Sequence, residues 1–251
     1  MHSHGCEHQA KLLMNRATLC VTCPNRELGL CGSLLGAVSE DSKADQDSGW
    51  QHFAAAQAGE QIAIRDQVSS DVFVLCAGWA FRYFQLSDGR RQILQFLLPG
   101  DIFSPTTIFE KAFYFSVKAL TQVRLSAFAR SEIRARCAAN SSVQSAIAKA
   151  CIDETHDAAR LSTVLGQFSA QERIAYLLLH LMTRIAARNV IREQRFPLPL
   201  RQQHIADAVG LTPVHVSRVF SQFRERRILA FSDGVMTVSN LPELEKIGSL
   251  R

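Results

Sequence analysis

The residues best suited to chemistry lie at the two ends of the chain. Near the start, Cys20, Cys23 and Cys31 have the spacing C-x2-C-x7-C. Two thiolates separated by two residues share one turn and a third closes from the following loop, a pattern that suits an iron–sulfur cluster. A complete four-iron site takes a fourth ligand. Cys6, close in sequence, leads the candidates; Cys76, on an expected strand where a buried core thiol is the commoner fate, follows, with Cys137 and Cys151 behind. A zinc ion held by Cys20, Cys23, Cys31 and a histidine such as His8 stays open, as does a segment that binds nothing. The cysteines number seven, an odd count, and read as thiols or metal ligands rather than a disulfide framework.

Near the other end, Arg201 to Arg227 reads as two short helices joined at Gly210. Ile205, Ala208 and Val209 give the first helix an apolar side and Leu211 packs in the turn. Thr212 suits an N-cap, and Pro213 suits the first turn, where its missing N–H would be unpaired anyway. Val216, Val219, Phe220 and Phe223 recur at helical spacing. Thr212, Val214, His215, Ser217, Arg218, Gln222 and Arg224 then lie on or near the outer side, with Ser221 beside them. Hydroxyls, an amide and guanidiniums there are the groups that read base edges and phosphates in double-stranded DNA. Arg226 and Arg227 extend the positive charge. A surface helix pair with solvated arginines is the plainer alternative, but cap, turn and charged face agree on a helix-turn-helix.

The charge distribution supports that reading. From Arg184 onward there are eleven Arg and Lys against six Asp and Glu, whereas the first 183 residues carry 17 of each. The whole excess of +5 therefore sits with the helix pair, as expected of a polyanion-binding domain joined to a neutral one. No apolar run is long enough to span a membrane, and the first residues lack a secretory pattern, so a cytoplasmic protein is expected. No Walker loop, nucleophile elbow or HExxH motif is present, and no enzyme is expected.

The elements that must position these groups follow in order. Residues 1–35 form the cysteine-rich segment with Cys6, Cys20, Cys23 and Cys31, and 36–49 are acidic and without periodicity, as in a linker. Residues 50–130 read as short antiparallel strands of a small sandwich or barrel, with a hairpin at Ser87-Asp88-Gly89 and a turn at Pro99-Gly100-Asp101. Val74, Phe81, Leu94 and Phe96 are expected in its core. In 131–168, Ser141 to Gly166 forms one long helix. Its stripe of Val143, Ile147, Ala150, Ile152, Ala159, Leu161 and Leu165 asks for a coiled-coil partner across a two-fold axis, or else for packing within the chain. Residues 169–251 begin with a capping box, Ser169-Ala-Gln-Glu172, on a helix that reaches Arg188. After the helix pair, Leu229 to Phe231, Ser232-Asp233-Gly234 and Val235 to Val238 make a tight hairpin, the wing of a winged helix-turn-helix.

This order resembles the CRP/FNR family of bacterial transcription regulators. The residues that carry the resemblance are IADAVGLTPVHVSRVFSQFRERRIL, LPGDIF and SAQERIAYLLLHL, within about residues 50 to 244. The resemblance implies an α+β chain with a cyclic-nucleotide-binding-like β-roll, a long dimerisation helix and a C-terminal winged helix-turn-helix. It also implies a homodimer on a palindromic operator with half-sites about 34 Å apart, and RNA polymerase as a partner. Ser217 and Arg218 match a Ser-Arg pair that contacts DNA in the FNR branch. Val214 replaces a glutamate found three residues before that serine; valine cannot accept from cytosine but can touch a thymine methyl.

The same resemblance frames the input. The cyclic-nucleotide branch uses a Gly-Glu segment and an Arg-Ser or Arg-Thr pair; here stand Gly100-Asp101 and Phe113-Tyr114-Phe115. The phosphate would lack a guanidinium, so no cyclic nucleotide is expected. Cys20, Cys23 and Cys31 resemble the leader of oxygen-sensing relatives, implying a 4Fe–4S cluster and a response to oxygen or redox state. The family's fourth ligand, late in the β-roll, corresponds to Arg124. A haem, or direct thiol oxidation, stays open but unsupported, with His52 and His156 expected at the surface or in packing. Asp153, Glu154 and Asp157 crowd the long helix, either repelling across a dimer interface or forming a solvated outer face. The rival from another class is a ligand-binding module that acts through protein contacts.

Overall fold

In the computed structural model, residues 29–36, 51–188 and 195–250 are described. The expected strands form the β-roll, and they follow a strand that the sequence did not announce, β1 (Gln51–Ala56). Then come β2 (Gln61–Ala63), β3 (Asp71–Ala77), β4 (Ala80–Gln85), β5 (Arg91–Leu97), β6 (Ser116–Ala119) and β7 (Val123–Ala129). Two antiparallel sheets result, in the orders β1-β7-β3 and β2-β6-β4-β5. β1 pairs with β7 from Gln51↔Phe128 to Ala56↔Val123. Its own residues are too small and polar to signal a buried strand, so the partner strand decides its state. Leu75, Phe103, Phe115, Val117 and Leu125 fill the space between the sheets. Of the four residues expected in the roll's core, only Leu94, half-buried, packs against its interior; Val74 is buried instead beside Val143 and Ile147, and Phe81 and Phe96 are buried against the C-terminal domain.

Both faces of β4 are covered. Phe81 and Tyr83 join an apolar cluster with the C-terminal domain, while Ala80 belongs to the roll interior. A short helix α2 (Arg130–Ala139) leads into α3 (Ser141–Gln167), the expected long helix, capped by Asn140. The apolar stripe of α3 divides. Val143 and Ile147 are buried within the chain, against Val72, Val74, Phe128 and Leu34. Leu34 lies on α1 (Gly29–Gly36), which packs against α3. Ile152, by contrast, is 54% exposed. Intrachain packing thus accounts for the first half of the stripe and leaves the middle open.

α4 (Ala170–Ala186) starts with the expected capping box, Ser169 and Glu172 each bonding the other's backbone. β8 (Arg195–Pro197) follows, then α5 (Gln202–Val209), α6 (Pro213–Glu225), β9 (Leu229–Ser232) and β10 (Val235–Val238). A closing helix, α7 (Leu241–Gly248), was not foreseen. It lies on α4 so closely that a Cβ on Gly248 would come within 2.7 Å of the Tyr176 backbone nitrogen, which only glycine permits.

The C-terminal domain is fastened to the β-roll. Asp101, in the turn after β5, accepts from Arg184 of α4 and from Arg188 in the turn just beyond it, and the three side chains are 17%, 14% and 16% exposed. The arginines also donate to Phe96 O at 2.7 Å and Pro99 O at 2.8 Å. On α5, Asp207 accepts from Arg91 Nε at 2.8 Å, and Gln92 donates to Ala208 O at 3.0 Å. No helix among the described residues is long and apolar enough to cross a membrane.

Candidate nucleic-acid interface

The helix pair is built as its residue types require. Gly210 closes α5 with φ 66°, a left-handed conformation that costs glycine nothing and other residues about 1 kcal/mol. Thr212 caps α6 by accepting from the His215 N–H at 3.3 Å, and Pro213 occupies the first position. Val216, Val219 and Phe223 are buried beneath α6. Phe220 is half-buried and stacks on Phe231 of β9, with ring centroids 5.8 Å apart and planes at 8°. That contact fixes the wing against the second helix. β10 pairs with β8 on one side and β9 on the other, and Asp233 and Gly234 make the turn with φ 52° and 72°. Two successive positive φ values match the right-handed strand twist of a two-residue hairpin.

The outer side of α6 carries the predicted set. Val214 is 60% exposed, and Thr212, His215, Ser217, Arg218, Gln222 and Arg224 are exposed as well. Two of these have local duties. The Thr212 hydroxyl caps the helix and sits 3.0 Å from His215 Nδ1. Gln222 accepts from Gln171 Nε2 at 2.6 Å, a bond from the first turn of α4. Gln171 gave no sequence signal, because the two glutamines are 51 positions apart. Of the others, Ser217 offers a hydroxyl, and Arg218 and Arg224 offer guanidiniums, that face outward. Arg226, expected to extend the basic face, instead pairs with Glu243 of α7.

The candidate metal ligands divide by position. Cys6, His8, Cys20 and Cys23 lie outside the described residues, as does the expected linker. Cys31 lies on α1, half-buried, at the edge of the cluster that also receives Cys137 and Cys151. Cys76, on β3, sits apart with its thiol 3.9 Å from Val74 O. Burial and the nearby Glu154 push the Cys151 thiol above its ordinary range. Among the described residues, no three His, Cys, Asp or Glu side chains converge to hold a metal. Arg124 is exposed on β7.

The remaining expectations concern the roll. Asp101 faces Arg184 and Arg188, and Phe113 and Phe115 are buried in the roll. Between them, Tyr114 donates to Glu154 at 2.7 Å, and burial with that bond raises its pKa to about 12. The three acids of α3 part company. Asp153 pairs with Lys149 and Asp157 with Arg160 along the helix, while Glu154 turns into the roll. Glu154 is therefore neither a solvated surface acid nor a group aimed outward from the helix.

Comparison with known proteins agrees with this architecture. The cyclic nucleotide-binding domain family matches residues 54–140, and the Crp-like helix-turn-helix domain family matches residues 172–247. The nitrogen fixation regulation protein FixK of Azorhizobium caulinodans is 34% identical over 161 residues, 64% of each chain. Its counterpart from Rhizobium meliloti is 31% identical over 186 residues, 74% of this chain and 82% of that one. The structure of FixK2 from Bradyrhizobium japonicum superposes with a TM-score of 0.74 at 26% identity, covering 80% of this chain and 98% of that one.

Proposed function

This chain belongs to the CRP/FNR family of transcription regulators, and from that premise we propose that it binds a palindromic operator as a homodimer and adjusts that binding to oxygen or redox state through an N-terminal iron–sulfur centre. DNA binding itself follows from the helix-turn-helix. The observation that carries the proposal is the outer face of α6, where Ser217 and Arg218 stand exposed with the wing fixed beside them. A hydroxyl and a guanidinium one residue apart offer a phosphate donor and a bidentate base reader. Val214 beside them offers an apolar contact, which suits a thymine methyl.

The homodimer is supported by the unpartnered middle of α3, where Ile152 remains 54% exposed on a 27-residue helix. A second copy of the same helix would cover it and place two recognition helices on one duplex. RNA polymerase would be the partner of the DNA-bound dimer.

The input side rests on Cys20, Cys23 and Cys31, with Cys6 ahead of Cys76 as fourth ligand. A bound 4Fe–4S cluster would supply iron–thiolate bonds that oxidants destroy. The chain's own part is mechanical. Cys31 shares α1 with Leu34, which is fully buried against the Val143 and Ile147 face of α3. Whatever holds Cys31 therefore bears on the long helix through a packed contact, and α3 runs directly into the domain that carries α6.

Anaerobic reconstitution with iron and sulfide tests the reading, followed by absorbance, sizing and DNA-binding measurements with and without oxygen. A chromophore and an oxygen-sensitive affinity are expected. If no chromophore forms and DNA affinity ignores oxygen, the iron–sulfur part fails and DNA binding stands.

A further inference from the structure

Three donors from separate parts of the β-roll converge on one carboxylate of α3. Arg82 Nη1, on β4, donates to Glu154 Oε1 at 2.6 Å, and Tyr114 donates to the same oxygen at 2.7 Å. Ser104 Oγ donates to Oε2 at 2.9 Å. Ser104 is fully buried, and the Arg82 and Glu154 side chains are 7% and 16% exposed. The guanidinium also donates to Phe103 O at 3.1 Å and lies 5.5 Å from the centre of the Phe115 ring. Its Nε is the one buried side-chain nitrogen or oxygen without a partner among the described residues. A buried guanidinium so placed requires an anion, because an uncompensated charge is strongly disfavoured in a low-dielectric interior.

We propose that Glu154 is the resident anion of the β-roll, a positioning residue that locks α3 in one rotation and height and thereby sets where the DNA-binding domain stands. The neighbouring acids cannot replace it. Residues 153 and 157 lie on the same helix as 154 but point elsewhere, into pairs with Lys149 and Arg160. Turning α3 by one residue, roughly 100°, would take the carboxylate out of its cradle and leave the arginine unpaired. From Glu154 to the end of α3 at Gln167 the helix is a rigid arm of roughly 20 Å, and α4 begins immediately beyond it. Since Arg82 Nη1, Ser104 and Tyr114 all find their acceptor on Glu154 within the chain, the rotation of α3 is fixed without a diffusible small anion.

This inference rests on DNA binding alone and is independent of the metal centre. The test uses the full-length chain, a duplex selected by the wild-type protein from a random pool, and acetate as a carboxylate probe. A cavity of about 450 Å³ lined by Arg82, Tyr114 and Glu154 gives acetate a route to the cradle. Glu154→Ala is expected to weaken binding by about 5- to 150-fold, the usual span of coupling between sites. Acetate should restore it saturably, chloride at equal ionic strength should not, and the wild type should not distinguish the two salts. Glu154→Gln keeps the shape and guards against a folding defect, since it should unfold as cooperatively as the wild type. It should still lose affinity, without an acetate response, because its space stays filled. Unchanged affinity in either variant, a loss in Glu154→Ala that acetate does not reverse, or a wild type that responds to acetate would each overturn the proposal.

Discussion

Replacing Asp101 with alanine should separate the β-roll from the DNA-binding domain, because this carboxylate answers two arginines at once, one at the end of α4 and one just beyond it. Arg184 and Arg188 are 14% and 16% exposed, so they would face the turn largely dehydrated and without a counter-ion. Removing one partner of a buried pair costs about 3–5 kcal/mol. Here each guanidinium keeps a carbonyl, Phe96 O or Pro99 O, and some water access, which lowers the figure to about 2–3 kcal/mol. The Leu98 N–H, which donates to Asp101 at 2.7 Å, loses its acceptor and adds about 1 kcal/mol. The sum is about 3–4 kcal/mol. In urea, with a slope of about 2–3 kcal/mol per molar, the midpoint should fall by about 1–2 M and the transition should divide into two. Asp101→Asn, which keeps an acceptor for Leu98, should recover about 1 kcal/mol. A double-mutant cycle with Arg184→Ala isolates the pair. A loss below about 0.5 kcal/mol for Asp101→Ala, or strict additivity with Arg184→Ala, would refute the argument.

Other outcomes follow from the same geometry. Arg218→Ala should reduce specific DNA binding by about 1–3 kcal/mol and leave folding within about 0.5 kcal/mol, by fluorescence anisotropy and urea titration; equal affinity for every duplex before and after would remove α6 from the interface. Gly210→Ala should destabilise the chain by about 1 kcal/mol through its φ of 66° alone, since the new Cβ would meet Leu165 Cδ2 at an ordinary 3.6 Å. A thermal midpoint unmoved by that substitution would contradict the turn geometry. His204, against Phe81, and His180, near Asp101, both titrate below the usual 6.5. For each the main cause is burial, reinforced by Arg91 and Arg184 respectively. Their unfolded forms take protons first as pH falls, so their contribution is complete above 6.5 and is lost progressively below it. Urea midpoints should therefore be lower at about pH 5.5 than at about pH 7.5, with a shallower dependence in His204→Gln; a midpoint that rises on acidification would reverse the sign.

The parts legible in the sequence are those whose causes are local. Gly210, Thr212 and Pro213 each meet a demand set within a few residues: a positive φ, an orphan N–H and a first helical turn. The spacing of Val216, Val219 and Phe223 similarly gives the buried side of α6, and so its exposed side. The hairpin at Asp233-Gly234 and the capping box at Ser169 follow the same rule. β1 was not legible, because it owes its state to pairing with β7 far away along the chain, whereas α7, seated on α4, does carry a local start signal in the Asn240 cap and the Pro242 of its first turn.

What the sequence determined by itself is therefore the frame, a β-roll, a long helix and a winged helix-turn-helix, together with the residues that could face DNA. Only the tertiary structure decided which of three neighbouring acids on α3 enters the roll, that Asp101 and Asp207 fasten the two domains, and that Gln171 holds Gln222. Helical periodicity gives the angle between Asp153, Glu154 and Asp157 but not the absolute rotation of the helix. That rotation is set by Arg82, Ser104 and Tyr114, which lie 72, 50 and 40 positions from Glu154. Side chains so far apart meet only after the sheets have closed and α3 has settled on them, where burial makes the unpaired alternative too unfavourable to persist.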